Sequence, residues 1–141
     1  MLEPEIVMEK SPHTIPTLGR ERQLLVVENN EVVKDVLSRM LSFLGYRVTL
    51  ADNGLEGGTL FLGGSYDLVI TGLEVPLMNG RELSRFVKKQ SPNTPVIVIT
   101  ELREDKRWEM LNTKFVDAVI PKPFKLNEIE KTVQRLLNSG T

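Results

Sequence analysis

Short runs of consecutive apolar residues alternate along the chain with longer segments in which apolar residues recur every three or four positions. The runs are typical of strands buried on both faces, and the spaced segments are typical of amphipathic helices that cover a sheet. Glycine, asparagine and proline separate the two kinds of segment. The predicted strands are 24–27, 46–50, 68–70, 96–99 and 116–120, and the predicted helices are 33–44, 53–62, 80–90, 103–114 and 126–137.

Five strands that alternate with five helices predict an α/β fold, a doubly wound parallel sheet with helices on both faces. The pattern begins only after residue 21. Pro4, Pro12 and Pro16 interrupt the first part of the chain, where no strand or helix period persists. We therefore expect a flexible leader over residues 1–21, one domain over residues 22–138 and a short tail over residues 139–141.

Composition narrows the possible functions. The chain has 141 residues, which suits one domain, and 18 basic against 19 acidic side chains give a formal charge of −1. That balance argues against binding of nucleic acid or an anionic membrane. Cysteine is absent and His13 is the only histidine, which excludes disulfides, thiolate metal sites and clusters of histidine ligands. Without a long apolar run or a signal sequence, we expect a cytoplasmic protein.

A doubly wound sheet places its functional groups at the carboxyl ends of its strands. The residues at those ends are therefore the candidates for chemistry. They are Glu28, Asn29, Asp52, Asn53, Thr71, Gly72, Thr100, Glu101 and Lys122.

Four segments at these strand ends carry a family resemblance. They read LLVVENN (24–30), YDLVITGLEVPLMNG (66–80), TPVIVIT (94–100) and PKPF (121–124). In order and spacing they resemble the receiver domain of bacterial two-component response regulators, over about residues 22–138. The resemblance implies a flavodoxin-like, five-stranded parallel sheet of order 2-1-3-4-5 with five helices.

The resemblance also implies a chemistry. In such domains an acidic pair after the first strand and an acceptor aspartate after the third hold Mg²⁺, which prefers oxygen ligands. The metal neutralises the phosphoryl group as the aspartate attacks it. A hydroxyl after the fourth strand and a lysine after the fifth contact the phosphate, and an aromatic residue on the fifth strand then turns inward as a switch.

Several of these positions depart from the family pattern. The acidic pair falls on Glu28 and Asn29, of which only Glu28 is charged, and the acceptor position falls on Gly72, which has no side chain. The switch position falls on Val119, which cannot make the aromatic rotation. The hydroxyl and the lysine are kept as Thr100 and Lys122, although Glu101 replaces the usual small residue beside the hydroxyl, and Lys122 precedes a proline in a dipeptide that is often cis in the family.

The number of charges decides what these departures mean. A working site has three carboxylates and one lysine, whereas Glu28 and Lys122 alone cancel, or leave −1 with Glu101. One charge pair at 4 Å is worth about 4 kcal/mol at an effective dielectric constant near 20. We therefore expect a vestigial site that does not transfer phosphoryl groups, is not an enzyme, needs no cofactor and binds Mg²⁺ weakly at Glu28 if at all. Lys122 is expected to pair with Glu28 or Glu101.

Without that chemistry, the function expected is protein binding within a phosphorelay pathway, with a sensor kinase or regulator as partner and a homodimer as an alternative. The predicted binding surface comprises the fourth helix, fifth strand and fifth helix, where Arg107, Trp108 and Leu111 are candidate contacts. The competing interpretation places Trp108, Leu111 and Phe115 in the core. Asn79 and Gly80 are predicted to form a turn with positive φ.

Two other functions stay open. A receiver with a shifted acceptor would use Glu74 or Asp67 together with Mg²⁺. A flavodoxin-like module would bind a small ligand at the same crevice, although no glycine-rich phosphate loop follows the first strand.

Overall fold

A computed structural model describes residues 21–102, 104–111 and 113–139. Apart from its last residue, the predicted leader lies outside this part of the chain. None of the helices in the described part has the length and apolar character needed to cross a membrane. The strands are β1 (Gln23–Val27), β2 (Arg47–Ala51), β3 (Leu68–Gly72), β4 (Val96–Thr100) and β5 (Ala118–Pro121); the helices are α1 (Glu31–Phe43), α2 (Gly54–Gly63), α3 (Gly80–Gln90), α4 (Glu104–Leu111) and α5 (Leu126–Ser139).

All five strands form one parallel sheet in the order β2-β1-β3-β4-β5. The predicted fold class and strand order are therefore confirmed, as are the five helices within the described residues. The register pairs Val27 of β1 with Thr71 of β3, and Gly72 with Ile99 of β4. Because the strands are parallel, their carboxyl ends meet at one edge of the sheet.

Each face of the sheet is covered by a separate apolar core. Successive strand residues point to opposite faces, which divides even the continuous apolar runs between the two cores. Leu24 and Val26 of β1 pack on the face that buries Leu37 of α1 and Val133 of α5. The opposite face holds the other β1 residues with α2 and α3, including Leu25, Val27, Phe61, Leu83 and Val87.

Asparagine begins three of the helices. The side chains of Asn30, Asn53 and Asn79 each accept a hydrogen bond from a backbone N–H in the first turn of α1, α2 and α3. The predicted positive-φ turn at Asn79 and Gly80 is wrong, because Asn79 is extended and forms a capping box with Glu82.

The positive φ lies upstream of this cap. Leu77 has φ 71°, and the Met78 N–H donates to the Pro76 carbonyl across it at 2.8 Å. This i to i+2 bond defines a γ-turn centred on Leu77. The turn therefore places a leucine, 75% exposed, in the left-handed region that favours glycine.

Helix α2 contains two adjacent glycines whose surroundings differ. A Cβ on Gly57 would lie 2.6 Å from Cγ2 of Val27, whereas a Cβ on Gly58 would meet Phe86 at 3.5 Å, an ordinary contact. Gly57 therefore allows α2 to approach β1 closely. Gly58 lowers helix propensity without such a packing reason.

The fourth helix and fifth strand are shorter than predicted. Strand β5 begins at Ala118, because Val116, although buried, belongs to the preceding loop. The core interpretation of the α4 face is wrong for Leu111, which is 40% exposed. Phe115 lies beyond the end of the helix, so it does not continue a helical stripe from Leu111.

Candidate functional site

A pocket of about 370 Å³ opens at the carboxyl edge of the sheet, where β1, β3, β4 and β5 end. The structure brings Glu28, Gly72, Thr100, Glu101 and Lys122 together there. Asn29 is exposed and does not line the pocket. The other lining residues, which the sequence did not single out as a group, are Leu73, Glu74, Val75, Ile99 and Leu102.

Glu28 is the most deeply buried charged residue of the pocket, with 4% of its surface exposed. Its Oε2 accepts a hydrogen bond from the backbone N–H of Asn30 at 2.9 Å. Its Oε1 lies 3.6 Å from Nζ of Lys122. Among the described residues, Oε1 has no hydrogen-bond donor, so the contact with Lys122 is an ion pair longer than a hydrogen bond.

Glu28 also fills the space beside Gly72. A Cβ built on Gly72 would lie 2.6 Å from Oε1 of Glu28 and 3.3 Å from Cγ1 of Val75. Cβ atoms essentially never come as close as 2.6 Å to a heavy atom of a residue that is not their neighbour in the chain. The carboxylate of Glu28, the residue after β1, therefore lies against the end of β3. It occupies the space that the Cβ of any residue other than glycine at position 72 would need.

The two remaining polar positions have local partners. Thr100 is buried, and its hydroxyl accepts a hydrogen bond from the Leu102 N–H at 3.0 Å. The backbone N–H of Lys122 donates to the Thr100 carbonyl at 2.9 Å, and the Lys122–Pro123 peptide bond is cis. Lys122 was predicted to pair with Glu28 or Glu101. It pairs with Glu28, and Glu101 is exposed at the pocket rim.

The acidic residues proposed as shifted acceptors lie in different places. Asp67 precedes β3, at the opposite end of that strand from the pocket, and accepts a hydrogen bond from the Gln23 N–H at 2.7 Å. Glu74 is exposed and lines the pocket. Position alone therefore removes Asp67 and leaves Glu74 as the shifted acceptor that the geometry allows.

The end of β2 does not contribute to the pocket. Asp52 forms an ion pair with Lys34 of α1, and Glu31 contacts the same amine at 3.2 Å. The hydrogen bond to Asp52 is the largest cause that raises the pKa of Lys34 above its usual 10.5, and burial opposes it. For the Tyr46 phenol burial has the opposite effect: it disfavours the charged phenolate and raises the pKa above its usual 10.0.

The side chains present do not fit a magnesium ion. One pocket carboxylate, Glu28, is already in contact with Lys122, and Gly72 offers no side-chain oxygen. Within the described ranges, no group of three acidic, histidine or cysteine side chains is arranged to hold a metal ion. Mg²⁺ usually needs one or two carboxylates together with phosphate oxygens and water. Here the buried carboxylate is paired with Lys122, and the other two, Glu74 and Glu101, are exposed at the rim.

The predicted switch and contact residues lie away from the pocket. Val119 is half-buried against the core that contains α3. On α4, Arg107 donates from Nη1 to the Leu102 carbonyl at 2.6 Å, and Leu111 is exposed. The side chain of Trp108 lies outside the described part of the structure, so its predicted role stays a prediction.

An apolar groove borders the pocket on the α1 side. It has a volume of about 630 Å³ and shares Glu101 and Lys122 with the pocket. Val32 of α1, whose surface is 72% exposed, lines it, and so does Phe124 from the segment after β5. Lys122 therefore stands between a polar pocket and an apolar surface.

Comparison with known proteins assigns these features to a family. Residues 24–134 match the response regulator receiver domain. The chain is 29% identical over 118 residues to the autoinducer 1 sensor kinase/phosphatase LuxN of Vibrio campbellii, covering 84% of this chain and 14% of that protein. It is 31% identical over 118 residues to the transcriptional regulatory protein CusR of Escherichia coli, covering 84% of this chain and 52% of that one. The chain thus spans about half or less of these curated relatives.

Solved structures agree with the fold. The receiver domain of a sensor histidine kinase from Pseudomonas aeruginosa, with magnesium coordinated in its active site cleft, superposes with a TM-score of 0.76 at 28% identity, covering 84% of this chain and 98% of that one. A CheY-like receiver domain from Methanospirillum hungatei superposes with a TM-score of 0.80 at 22% identity, covering 86% and 97%.

Proposed function

Since the chain belongs to the response regulator receiver domain family, we propose that it is a signalling module that binds proteins without accepting a phosphoryl group. The observation that carries this proposal is the position of the Glu28 carboxylate, 2.6 Å from the place of a Gly72 Cβ. The resemblance puts the acceptor at Gly72. That position has no carboxylate of its own, and a neighbouring carboxylate fills its space.

The ion pair between Glu28 and Lys122 supports the same conclusion. A receiver that accepts phosphate needs its lysine to contact the incoming group. Here Lys122 lies 3.6 Å from a carboxylate of the same chain, so an anion must compete with a partner that is already present. Buried charges are held in place by their pairing, because separating them leaves one charge without compensation.

The absence of a fitting metal site adds a second barrier. Without a cation to neutralise the transferred group, the carboxylates at the rim, Glu74 and Glu101, would repel it. We therefore propose that this domain neither holds Mg²⁺ nor acts as an enzyme. The charged groups of the pocket would instead form a fixed ion pair within the chain, between Glu28 and Lys122.

We assign protein binding to the surface of α4, β5 and α5. Leu111 exposes an apolar side chain on α4, and the names of the relatives, a sensor kinase and a transcriptional regulator, make signalling proteins the expected partners. Val119 has no aromatic ring to move between inward and outward positions. The surface would therefore keep one conformation whether or not a phosphodonor is present.

The test is intact-mass measurement after incubation with acetyl phosphate and Mg²⁺, with a phosphorylatable receiver treated in parallel. We expect no phosphoryl adduct on the parent chain and an unchanged elution volume in size-exclusion chromatography. A stoichiometric adduct would overturn the proposal. Its loss in Glu74→Gln would then assign a shifted acceptor, with Asp67→Asn as the matched control.

Restoring the acceptor tests how much of the site survives. Gly72→Asp must displace Glu28, so we expect it to remain unmodified. Gly72→Asp combined with Glu28→Asp shortens the intruding side chain by one methylene and adds one carboxylate, at position 72, to the one already present at position 28. We expect more phosphoryl adduct on the double variant than on the single variant. More adduct on the single variant would contradict the blocking role of Glu28.

A further inference from the structure

A second concave surface lies between α3 and the loop before β5. Its cavity has a volume of about 250 Å³. None of its lining residues lines the pocket at the strand ends, so it is separate from the site described above. The lining residues are Arg81, Glu82, Arg85, Thr113, Phe115 and Val116.

This surface is basic on a chain whose formal charge is −1. Arg81 and Arg85 are exposed one helical turn apart on α3, and Lys89 continues the same side of the helix. Lys114 adds a fourth exposed cation from the loop. The lining carboxylate, Glu82, accepts the Asn79 N–H at 2.9 Å in the capping box, which ties it to the start of the helix.

The four cations have no carboxylate partner among the described residues. The neighbouring acid, Asp117, is used elsewhere: it pairs with Lys88 at 2.6 Å and accepts the Val96 N–H at 2.8 Å. The four cations therefore outnumber the one lining carboxylate, Glu82, and the surface keeps a net positive charge. Such a concentration of one sign of charge attracts the opposite sign from solution.

Arg85 is held in place by an aromatic ring. Its guanidinium carbon lies 5.2 Å from the centroid of the Phe115 ring, which is a cation–π contact. A guanidinium placed over an aromatic ring still has N–H groups that can bind a carboxylate through two hydrogen bonds. The contact thus orders the arginine and leaves hydrogen-bond donors of its guanidinium available.

The size of the cavity indicates what enters it. Small-molecule sites usually enclose roughly 300–1,000 Å³, and this cavity of about 250 Å³ is smaller. Phe115 and Val116 give it apolar walls, which suit one apolar side chain. We propose that this surface binds an acidic segment of a partner protein, with carboxylates on Arg81 and Arg85 and one apolar side chain in the cavity.

The experiment uses the full chain and a fluorescein-labelled peptide in which glutamates flank a single phenylalanine. Fluorescence anisotropy measures its affinity at low and high salt, and amide chemical shifts locate it. We expect shifts confined to α3 and to residues 113–116. Arg85→Glu should weaken binding by about tenfold or more, and replacement of the peptide phenylalanine by alanine should weaken it as well.

The matched control is Arg22→Glu, which makes the same change at an exposed position before β1, outside both this surface and the surface of α4, β5 and α5. It should change the affinity less than twofold. Equal weakening by both variants would overturn the proposal, because binding would then follow net charge alone, and so would shifts that map to another surface. Arg81→Gln provides a second, milder variant, and circular dichroism confirms that each variant is folded.

Discussion

Gly72 and Glu28 share a single space: the Oε1 of the glutamate lies 2.6 Å from where a Cβ at the glycine would stand. The two residues belong to the ends of adjacent strands, so neither identity can change without affecting the other. The pocket therefore depends on the two residues together, a glycine at position 72 and a glutamate at position 28. This dependence also gives the first of four predictions.

The two positions should be energetically coupled. In the parent chain, Gly72→Ala forces Glu28 to move and loosens its contact with Lys122, so we expect a loss of about 1–3 kcal/mol in the free energy of unfolding. In a Glu28→Ala background the same substitution no longer meets Oε1, and the contact with Val75 at 3.3 Å remains, so its effect should be smaller. Urea denaturation of the four chains measures the coupling, and an equal loss in both backgrounds would contradict the shared space.

Two neighbouring glycines of α2 should respond in opposite directions to the same substitution. Gly57→Ala places a methyl group 2.6 Å from Val27, so it should lower the free energy of unfolding by about 1–3 kcal/mol. Gly58→Ala makes an ordinary contact and should raise it by about 0.5–1 kcal/mol through helix propensity. Thermal and urea unfolding check both, and stabilisation by Gly57→Ala would show that the helix can move away from β1.

The γ-turn before α3 should tolerate glycine better than leucine. Leu77→Gly removes the steric strain of a positive φ, about 1–2 kcal/mol, and increases the entropy of the unfolded chain by about 0.4–1 kcal/mol. We therefore expect a net stabilisation of up to about 1 kcal/mol. Leu77→Ala keeps the strain and serves as the control. If the alanine variant were as stable as the glycine variant, the exposed leucine side chain would be the cause.

Stability should fall in alkaline solution. The folded chain holds the Lys34 proton more tightly than the unfolded chain, because Asp52 and Glu31 surround the amine. Burial makes the Tyr46 phenolate unfavourable in the folded chain too. Both pKa values are raised by folding, so both contributions are complete below their usual values of 10.5 and 10.0 and are lost as the pH rises through the folded values.

The alkaline measurement can separate the two groups. The free energy of unfolding is followed by urea titration from neutral pH to above the usual lysine pKa. Tyr46→Phe should remove the phenol's share and leave that of Lys34, whereas Asp52→Asn should reduce the share of Lys34. A stability that does not change with alkaline pH in the parent chain would show that neither group gains its proton affinity by folding.

Much of the architecture was predictable because it depends on periodicity. Apolar runs indicated buried strands. Parallel strands bring residues such as Glu28 and Lys122 to one edge of the sheet, whichever way their side chains point. Side-chain direction was not predictable in the same way. The sequence left Lys122 with two acidic partners, and only the packing of the strand ends selects Glu28.

Other differences arise from contacts between elements that are distant in the chain. Glycine lowers helix propensity, yet Gly57 has a packing reason in α2, because a larger residue there would collide with Val27 of β1. Leu111 had the spacing of a core residue, but the helix ends there and leaves it exposed. The positive φ was assigned to an Asn-Gly pair on general grounds, while the hydrogen bond across Leu77 puts it two residues earlier.

The ion pair of the pocket joins the end of the first strand to the segment that follows the last. On one side of β1 the sheet continues with β3, β4 and β5, in the same order as in the chain. Glu28 therefore acquires its counterion only when β5 is in place. Without β5 the sheet would leave the Glu28 carboxylate at its carboxyl edge with no counterion, so this pair ties the first strand to the last and supports all-or-none folding.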